Sequence, residues 1–503
     1  MMEGVFNFLK LVEEKKQDSL TRFAGTALFF EFLEKIKFPQ NIAKHFPTCK
    51  QGYPFGNILL SLILVQLLGG ESISDIQILE TDSGLKRLWR KLQKKGWSFL
   101  EAKLRRETNR TFPSPTTLFD FLKRFRASKT DTPSKIWDAR LSPFFSSLEE
   151  INEGLCRMQL NDSAQGLATL DMDNNIISSD KLCAQYSYKK EKSFAPFNVY
   201  HKESDLMLHS SFLDGNVKPG FGQKELLAQA LKKLPLKIQE VFVRSDSAGY
   251  QTDFLRAMDQ GMGRFHRINF SVSCKVFPAF RKAVRELKEE DWLTLKKRDE
   301  KGDEWETRHQ VALVDYTPEW NNPHKGDSNF RYIAIREAIN IQTRYSEKGE
   351  IQYDCSEDTE KKLHLESIGG KVYKVFGVVT NEQVLSLEEV VLHHWGRSGD
   401  SEKVHARLCS DFAGGRFPCD SFASNAAWWH ISIIALNLTT LFQRFALQGK
   451  LRKCRMKLLR FKFFHLPARL IQRSTNLILK LKHNFSCFEE VRSRIHHLDF
   501  CLC

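Results

Sequence analysis

A carboxylate on a buried strand is costly unless it is paired or binds a cation, and one apolar strand of this chain carries two. The segment Thr169-Leu170-Asp171-Met172-Asp173 lies inside an apolar run that ends near Ile177. Side chains alternate along a strand with period two, so Asp171 and Asp173 share a face. A second strand pattern, Val241-Phe242-Val243-Arg244-Ser245-Asp246, ends on Ser247-Ala248-Gly249-Tyr250. A third carboxylate, Glu402, stands in Gly399-Asp400-Ser401-Glu402-Lys403, where a helical pattern opens. Open α/β sheets gather ligands at the carboxyl ends of strands, which is where Asp246 falls. Two strand-borne aspartates and one helix-borne glutamate can converge on a pair of hard cations about 3.5–4 Å apart, the arrangement that drives in-line displacement at phosphorus. Carboxylate oxygens suit Mg²⁺ or Mn²⁺, and no Cys/His cluster competes for a softer metal.

The charge of the chain points to a partner. Lys and Arg number 76 against 61 Asp and Glu, a formal net charge of +15. An excess of that sign suits a polyanion. At 503 residues the chain is too long for one ordinary core and predicts two to four domains. Its 11 Cys are scattered without a framework spacing, which predicts thiols in a reducing cytosol. Cys501 and Cys503 read as two tail residues rather than a zinc site, because no second pair accompanies them. Met1-Met2-Glu3-Gly4 leads into a mixed amphipathic segment rather than a signal peptide. The most apolar run, 58–68, falls short of the roughly 20 residues needed to span a bilayer and reads as a buried helix. The expectation is a cytoplasmic protein with no membrane partner.

Patterning divides the chain. Helical periodicity fills the first third, at 23–33, 57–68, from 74, and at 116–122 after the turn residues Pro113-Ser114-Pro115. Basic clusters Lys86-Arg87, Arg90-Lys91, Lys94-Lys95, Arg105-Arg106 and Lys123-Arg124 lie among these helices. The stretch 114–126 reads equally as a DNA-reading helix or a solvated basic face. Strand patterns then appear at 167–177, 194–201, 207–213, 240–245 and 265–273, with helices at 223–234 and 249–261. Three strands without intervening helices, then α-β-α-β, predict a mixed sheet flanked by helices, the ribonuclease H class of α/β fold. Residues 286–371 are charged, with strands at 311–315 and 331–336, and read as an inserted β-rich subdomain. A core strand returns at 372–381, and helices follow at 386–394, 402–409 and 423–438. From 450 onward Arg452, Lys453, Arg455, Lys457, Arg460 and Lys462 mix with Phe461, Phe463 and Phe464. That mixture suits nucleic-acid contact or a cationic helix packing its Phe face. The expected organisation is a helical N-terminal DNA-binding region (1–150), a catalytic domain in two parts (160–285 and 372–449) around the β-rich insertion (286–371), and a basic helical C-terminal region (450–503).

Several segments carry a family resemblance. They are Leu20-Thr21-Arg22-Phe23-Ala24-Gly25, Leu68-Gly69-Gly70-Glu71, Phe112-Pro113-Ser114-Pro115-Thr116-Thr117-Leu118, and the two strand ends at Asp173 and Asp246. Trp395-Gly396-Arg397 through Glu402 follows, with Leu408, Asp411 and Phe412. Asn425-Ala426-Ala427-Trp428 and Leu466-Pro467-Ala468-Arg469 close the set. Together they resemble a bacterial insertion-sequence DDE transposase of the cut-and-paste type, in the branch with a strand-rich insertion before the catalytic Glu. Carried over, the catalytic and metal-binding triad falls on Asp173, Asp246 and Glu402. The family usually has Asp-x-Thr at the first strand end, which favours Asp173; Asn175 holds the Thr place, and Asp171 stays a candidate. Trp395 stands where Tyr is common and Cys409 where Lys is common. Arg397 remains, and Lys403 or Arg407 could supply the missing cation to a DNA phosphate. Lys189 and Lys190, in the hairpin 186–192, either grip backbone phosphate or form a solvated turn.

The resemblance implies a ribonuclease H-like core holding two Mg²⁺ ions, with Mn²⁺ as substitute. It implies cleavage at transposon ends and strand transfer into target DNA. The implied partner is double-stranded DNA, both terminal inverted repeats and target, met by a homodimer at the bacterial nucleoid. Two competitors stay open: a domesticated or inactive transposase-derived DNA-binding protein, and a metal-dependent nuclease without strand transfer.

Overall fold

The computed structural model describes residues 19–47, 52–94, 97, 110–127, 142–162, 166–299, 302–321, 330–341, 343–345, 351–353, 364–473 and 476–499. The chain forms two compact units: 155–406, and a second that gathers 1–154 with 407–503.

The 155–406 unit is built on one sheet. Its strands are β1 (Leu167–Asn174), β2 (Phe197–His201), β3 (Leu206–Ser211), β4 (Glu240–Ser245), β5 (Asn269–Ser273), β6 (Leu293–Arg298), β7 (Glu304–Val314), β8 (Arg331–Ala338), β9 (Leu365–Ile368) and β10 (Lys371–Thr380). Among the described residues their order is β6-β7-β8-β10-β5-β4-β1-β2-β3, with β9 also on β10. β1, β2 and β3 form an antiparallel meander. β4 and β5 then run parallel to β1, and the helices Gln223–Lys232 and Thr252–Gln260 supply the crossovers that parallel pairing requires. This is the mixed sheet with flanking helices that the pattern predicts.

Strands from the stretch read as a β-rich insertion extend this sheet. β10 pairs antiparallel with β5 through Val378↔Ser273, and β8, β7 and β6 continue outward, each antiparallel to its neighbour. The reason lies in β8, where Tyr332, Ile333, Ala334 and Ile335 are all buried. A strand apolar on both faces belongs in a covered sheet interior. Ile333 and Ile335 pack with Leu295, Val311, Val378, Val390 and Val391. The last two come from the helix Leu387–Ala406, which begins at a capping box. Ser386 Oγ accepts from the Glu389 N–H, and Glu389 Oε2 accepts from the Ser386 N–H. That helix is continuous over 20 residues, so the two helices expected at 386–394 and 402–409 are one, followed by a π turn at Arg407–Asp411.

In the other unit, Gly25–Lys35, Phe55–Leu67 and Phe422–Phe445 are the principal helices. The apolar run 58–68 is a buried helix as expected, and no described helix is long and apolar enough to cross a membrane. Phe29 meets Phe442 and Phe464 edge-on at 5.4 and 5.9 Å. Phe463 and Phe464 are fully buried, whereas Phe461 is 72% exposed, so two of the three tail aromatics are core. The C-terminal region is not all helical. Ala468–Arg473 and Asn476–Leu481 form a hairpin whose inner strand pairs with Leu20–Thr21. Ser114 caps the helix Pro115–Lys123, which buries Leu118, Phe121 and Leu122. The Arg105-Arg106 cluster and the Cys501/Cys503 pair lie outside the described residues.

Candidate active site

The two strand-borne aspartates do share a face of the sheet, but they meet different partners. Asp171 is fully buried against Arg244, its neighbour in the β1–β4 ladder. Arg244 Nε donates to Asp171 Oδ1 at 2.5 Å and Nη2 donates to Oδ2 at 2.7 Å. The remaining nitrogen, Nη1, donates to the His393 carbonyl at 2.6 Å. Asp171 is thus spent on a bidentate ion pair beneath the Leu387–Ala406 helix.

Asp173, one alternation further, is 20% exposed. Its Oδ1 faces Arg397 Nη1 at 3.4 Å, and its Oδ2 faces His405 Nδ1 at 3.7 Å. Burial pushes its carboxyl up to about 6; the Arg397 guanidinium opposes that rise and the nearby Asp246 carboxylate adds to it. Asp246 is placed by register. Met172 sits beside Ser245 in the parallel β1–β4 ladder, so the next residue on each strand is Asp173 and Asp246. Asp246 directly follows β4 and caps the turn Ser247–Gly249, its Oδ1 accepting from the Ala248 N–H at 3.0 Å. The two aspartates therefore stand side by side at the carboxyl ends of adjacent parallel strands, where α/β sheets place ligands.

The Leu387–Ala406 helix lies over this strand end and is held by histidines. His394 reaches Ser273 Oγ at 2.9 Å and the Ser271 carbonyl at 3.2 Å; burial pushes its imidazole down to about 3. His393 packs edge-on against Phe242 at 4.5 Å, and burial, then Arg244, push it down to about 4. Gly396 permits the close approach, since a Cβ there would lie 2.7 Å from Arg244 Nη1. Burial and Arg397 also push His405 down to about 4. It is neutral at pH 7, so its approach to Asp173 is a polar contact rather than an ion pair.

Glu402 is on this same helix, five residues past Arg397 and three before His405, but its side chain is exposed. Lys403 beside it is exposed too. Arg407 belongs to the other unit, where it donates to Thr440 Oγ1 at 2.9 Å. Lys189 and Lys190 are exposed in the turn of a hairpin, with Lys190 left-handed at φ 64°. Trp395 packs edge-on with His309 of β7, and Lys297 of β6 lies over its ring.

The pair Asp173 and Asp246 fits a divalent cation: hard oxygen donors, like charges side by side, and a carboxyl already unwilling to ionise without one. Among the described residues no three His, Cys, Asp or Glu converge closely enough to hold an ion on their own. A cavity of ≈ 810 Å³ adjoins the pair, lined by Ser247, Lys275, Phe277, Lys297, Trp395 and Arg397 among others. Three cations beside the rings of Phe277, Phe376 and Trp395 suit a polyanion with stackable groups. Sequence reasoning missed His405, Asn198 and Arg244. His405 stands two helical turns past Arg397, a spacing that could have placed it on the same face.

The family model described as "Transposase DDE domain group 1" matches residues 10–325 and 357–500. No curated protein matches the chain. Among solved structures, one similar chain is that in a cryo-EM structure of the piggyBac transposase synaptic complex with hairpin DNA, at 10% identity and a TM-score of 0.38. The match covers 89% of this chain and 83% of that one, a likeness too slight to carry an argument.

Proposed function

The chain belongs to the transposase DDE domain family, and from that premise we propose that it cleaves DNA at transposon ends and joins them to target DNA. One observation carries the reading: Asp173 and Asp246 stand together at the ends of adjacent parallel strands, beside a cation-lined cavity. The β1-β2-β3 meander followed by parallel β4 and β5 supports a ribonuclease H-like core.

Asp173 and Asp246 would hold two Mg²⁺ ions, or Mn²⁺ in their place, with Glu402 as third carboxylate. When bound, such ions activate water for cleavage and the freed 3′-hydroxyl for strand transfer. The residues of the chain do the rest. Asp171 and Arg244 fix the strand end beneath the helix. Arg397 faces both Asp173 and the cavity, where its guanidinium meets phosphate. Lys275 and Lys297 add charge along the cavity, and Lys189, Lys190 and Lys403 reach backbone phosphate from exposed positions. The net charge of +15 supports duplex DNA as the partner. The same reading makes the protein a bacterial insertion-sequence enzyme, acting at the nucleoid as a homodimer across two ends.

The test is cleavage and joining of DNA that carries the element's ends. Asp246→Asn and Glu402→Gln keep shape but remove cation-holding charge. Each should abolish Mg²⁺-dependent cleavage while end binding persists. Wild-type protein that binds ends yet never cuts them with Mg²⁺ or Mn²⁺ would instead favour an inactive DNA-binding descendant. Cutting without joining would favour a nuclease.

A further inference from the structure

His405 is a residue that neither the carboxylate pattern nor the family motif singles out. Its ring touches the site on one side and a buried polar chain on the other. Nδ1 lies 3.7 Å from Asp173 Oδ2, and Nε2 lies 3.1 Å from Asn198 Nδ2. Asn198 is buried opposite Asp173 in the β1–β2 ladder. Ser210 Oγ donates to Asn198 Oδ1 at 2.6 Å. With its oxygen so engaged, the Asn198 amide presents Nδ2 to the imidazole. Nε2 then accepts, and the ring proton resides on Nδ1, facing Asp173. Hydrogen bonds in unliganded sites are often long and tighten on binding.

We propose that His405 is a positioning residue for Asp173: its Nδ1–H, aimed by Asn198 and Ser210, faces Oδ2 and closes on it when the site is loaded, while Arg397 faces Oδ1. The carboxylate is then held in one direction as the cation binds. The inference rests on the metal-dependent reading above. The family triad stops at the three carboxylates; this adds the group that sets the direction of one of them. A ligand role is the competing chemistry, since a bare Nδ1 could bind a cation itself. That would require the proton on Nε2 and a reversed Asn198 amide.

The test uses the full chain with Mn²⁺ alone, reading free ion by electron paramagnetic resonance, with no DNA and no turnover. An Asn at 405 places its amide near the Nδ1 position, whereas a Gln reaches toward Nε2. His405→Ala should weaken Mn²⁺ binding by roughly 10-fold or more, the scale of outer-shell partners. His405→Asn should recover most of that loss and His405→Gln little of it. Pulsed spectra of the wild type should lack the signature of a directly bound nitrogen. Unchanged binding in His405→Ala, equal recovery by Asn and Gln, or a directly bound nitrogen would each overturn the proposal. Should the Ala variant not fold, the Asn–Gln contrast decides alone. Wild-type protein that binds no Mn²⁺ overturns the metal-dependent reading and this inference with it, whereas wild-type binding left untouched by His405→Ala defeats only the inference.

Discussion

Arg244 grips Asp171 through two parallel hydrogen bonds, Nε to Oδ1 at 2.5 Å and Nη2 to Oδ2 at 2.7 Å, with neither side chain exposed. That relationship divides labour between two aspartates on one strand. Asp171 neutralises a buried cation that also holds the helix backbone at His393. Asp173, two residues on, remains partly exposed beside Asp246.

Removing the Asp171 charge takes from the buried Arg244 guanidinium its bidentate carboxylate. Breaking a buried pair from one side costs about 3–5 kcal/mol. Asp171→Asn should therefore lower the unfolding midpoint in urea sharply, and lost activity should track lost folded protein. An Asp171→Asn protein as stable as the wild type, but inactive, would return Asp171 to the catalytic set.

Asp173 should behave in the opposite sense. Its carboxyl is raised from 3.8 to about 6. Between those values the folded state keeps a proton that the unfolded state has lost, so stability of the metal-free protein falls as pH rises through that window. The full penalty, roughly 3 kcal/mol from the size of the shift, is present above pH 6. Asp173→Asn removes it. The variant should exceed the wild type in stability at pH 8 and match it near pH 3.5. Mn²⁺ should close the gap by stabilising only the wild type. A pH-independent difference between the two proteins would contradict this.

Much of this was legible before the fold was known. Period-two alternation put Asp171 and Asp173 on one face, and the Ser-Ala-Gly turn placed Asp246 at a strand end. The sequence could not say which aspartate the buried arginine takes, because that partner, Arg244, lies 73 positions away from Asp171. It is adjacent only through parallel pairing. The 286–371 region read as a β-rich insertion from its charged, irregular composition, but the sequence did not show where its strands pair: β8 pairs with β10, and β10 joins β5. The C-terminal hairpin stayed hidden for a similar reason. Its inner strand, starting at Ala468, completes itself against Leu20–Thr21. The helix expected as two pieces, 386–394 and 402–409, runs unbroken through Gly396 and Gly399.

Those glycines give a paired prediction. Ala is favoured over Gly in a helix interior by about 1 kcal/mol. At Gly399 nothing lies within 4 Å of an added Cβ, so Gly399→Ala should stabilise by up to that amount. At Gly396 the added Cβ would meet Arg244 Nη1 at 2.7 Å. Arg244 is pinned at all three donor nitrogens and cannot easily give way. Gly396→Ala should lower the unfolding midpoint despite its better propensity, and should reduce cleavage by shifting the helix that carries Arg397. Equal effects at the two positions would show that close helix approach does not matter.

Lys189 and Lys190 decide whether the 186–192 hairpin touches DNA. They occupy the turn where the Ser187 N–H donates to the Glu191 carbonyl at 2.8 Å and the Lys189 N–H donates to Ser187 Oγ at 3.2 Å. Backbone and hydroxyl hold that turn, not the two ammonium groups, so Lys189→Ala with Lys190→Ala should leave the fold and its unfolding midpoint unchanged. Each phosphate neutralised on duplex DNA contributes about 0.9 to the slope of log affinity against log salt. If both lysines meet phosphates, the double variant should bind duplex DNA more weakly at low salt and its slope should flatten by up to roughly 1.8. The loss should be uniform across sequences, since phosphate contacts carry no sequence information directly. Fluorescence anisotropy over a salt series measures both quantities. A slope equal to that of the wild type would assign the turn to solvent and leave the backbone grip to the cations that line the cavity.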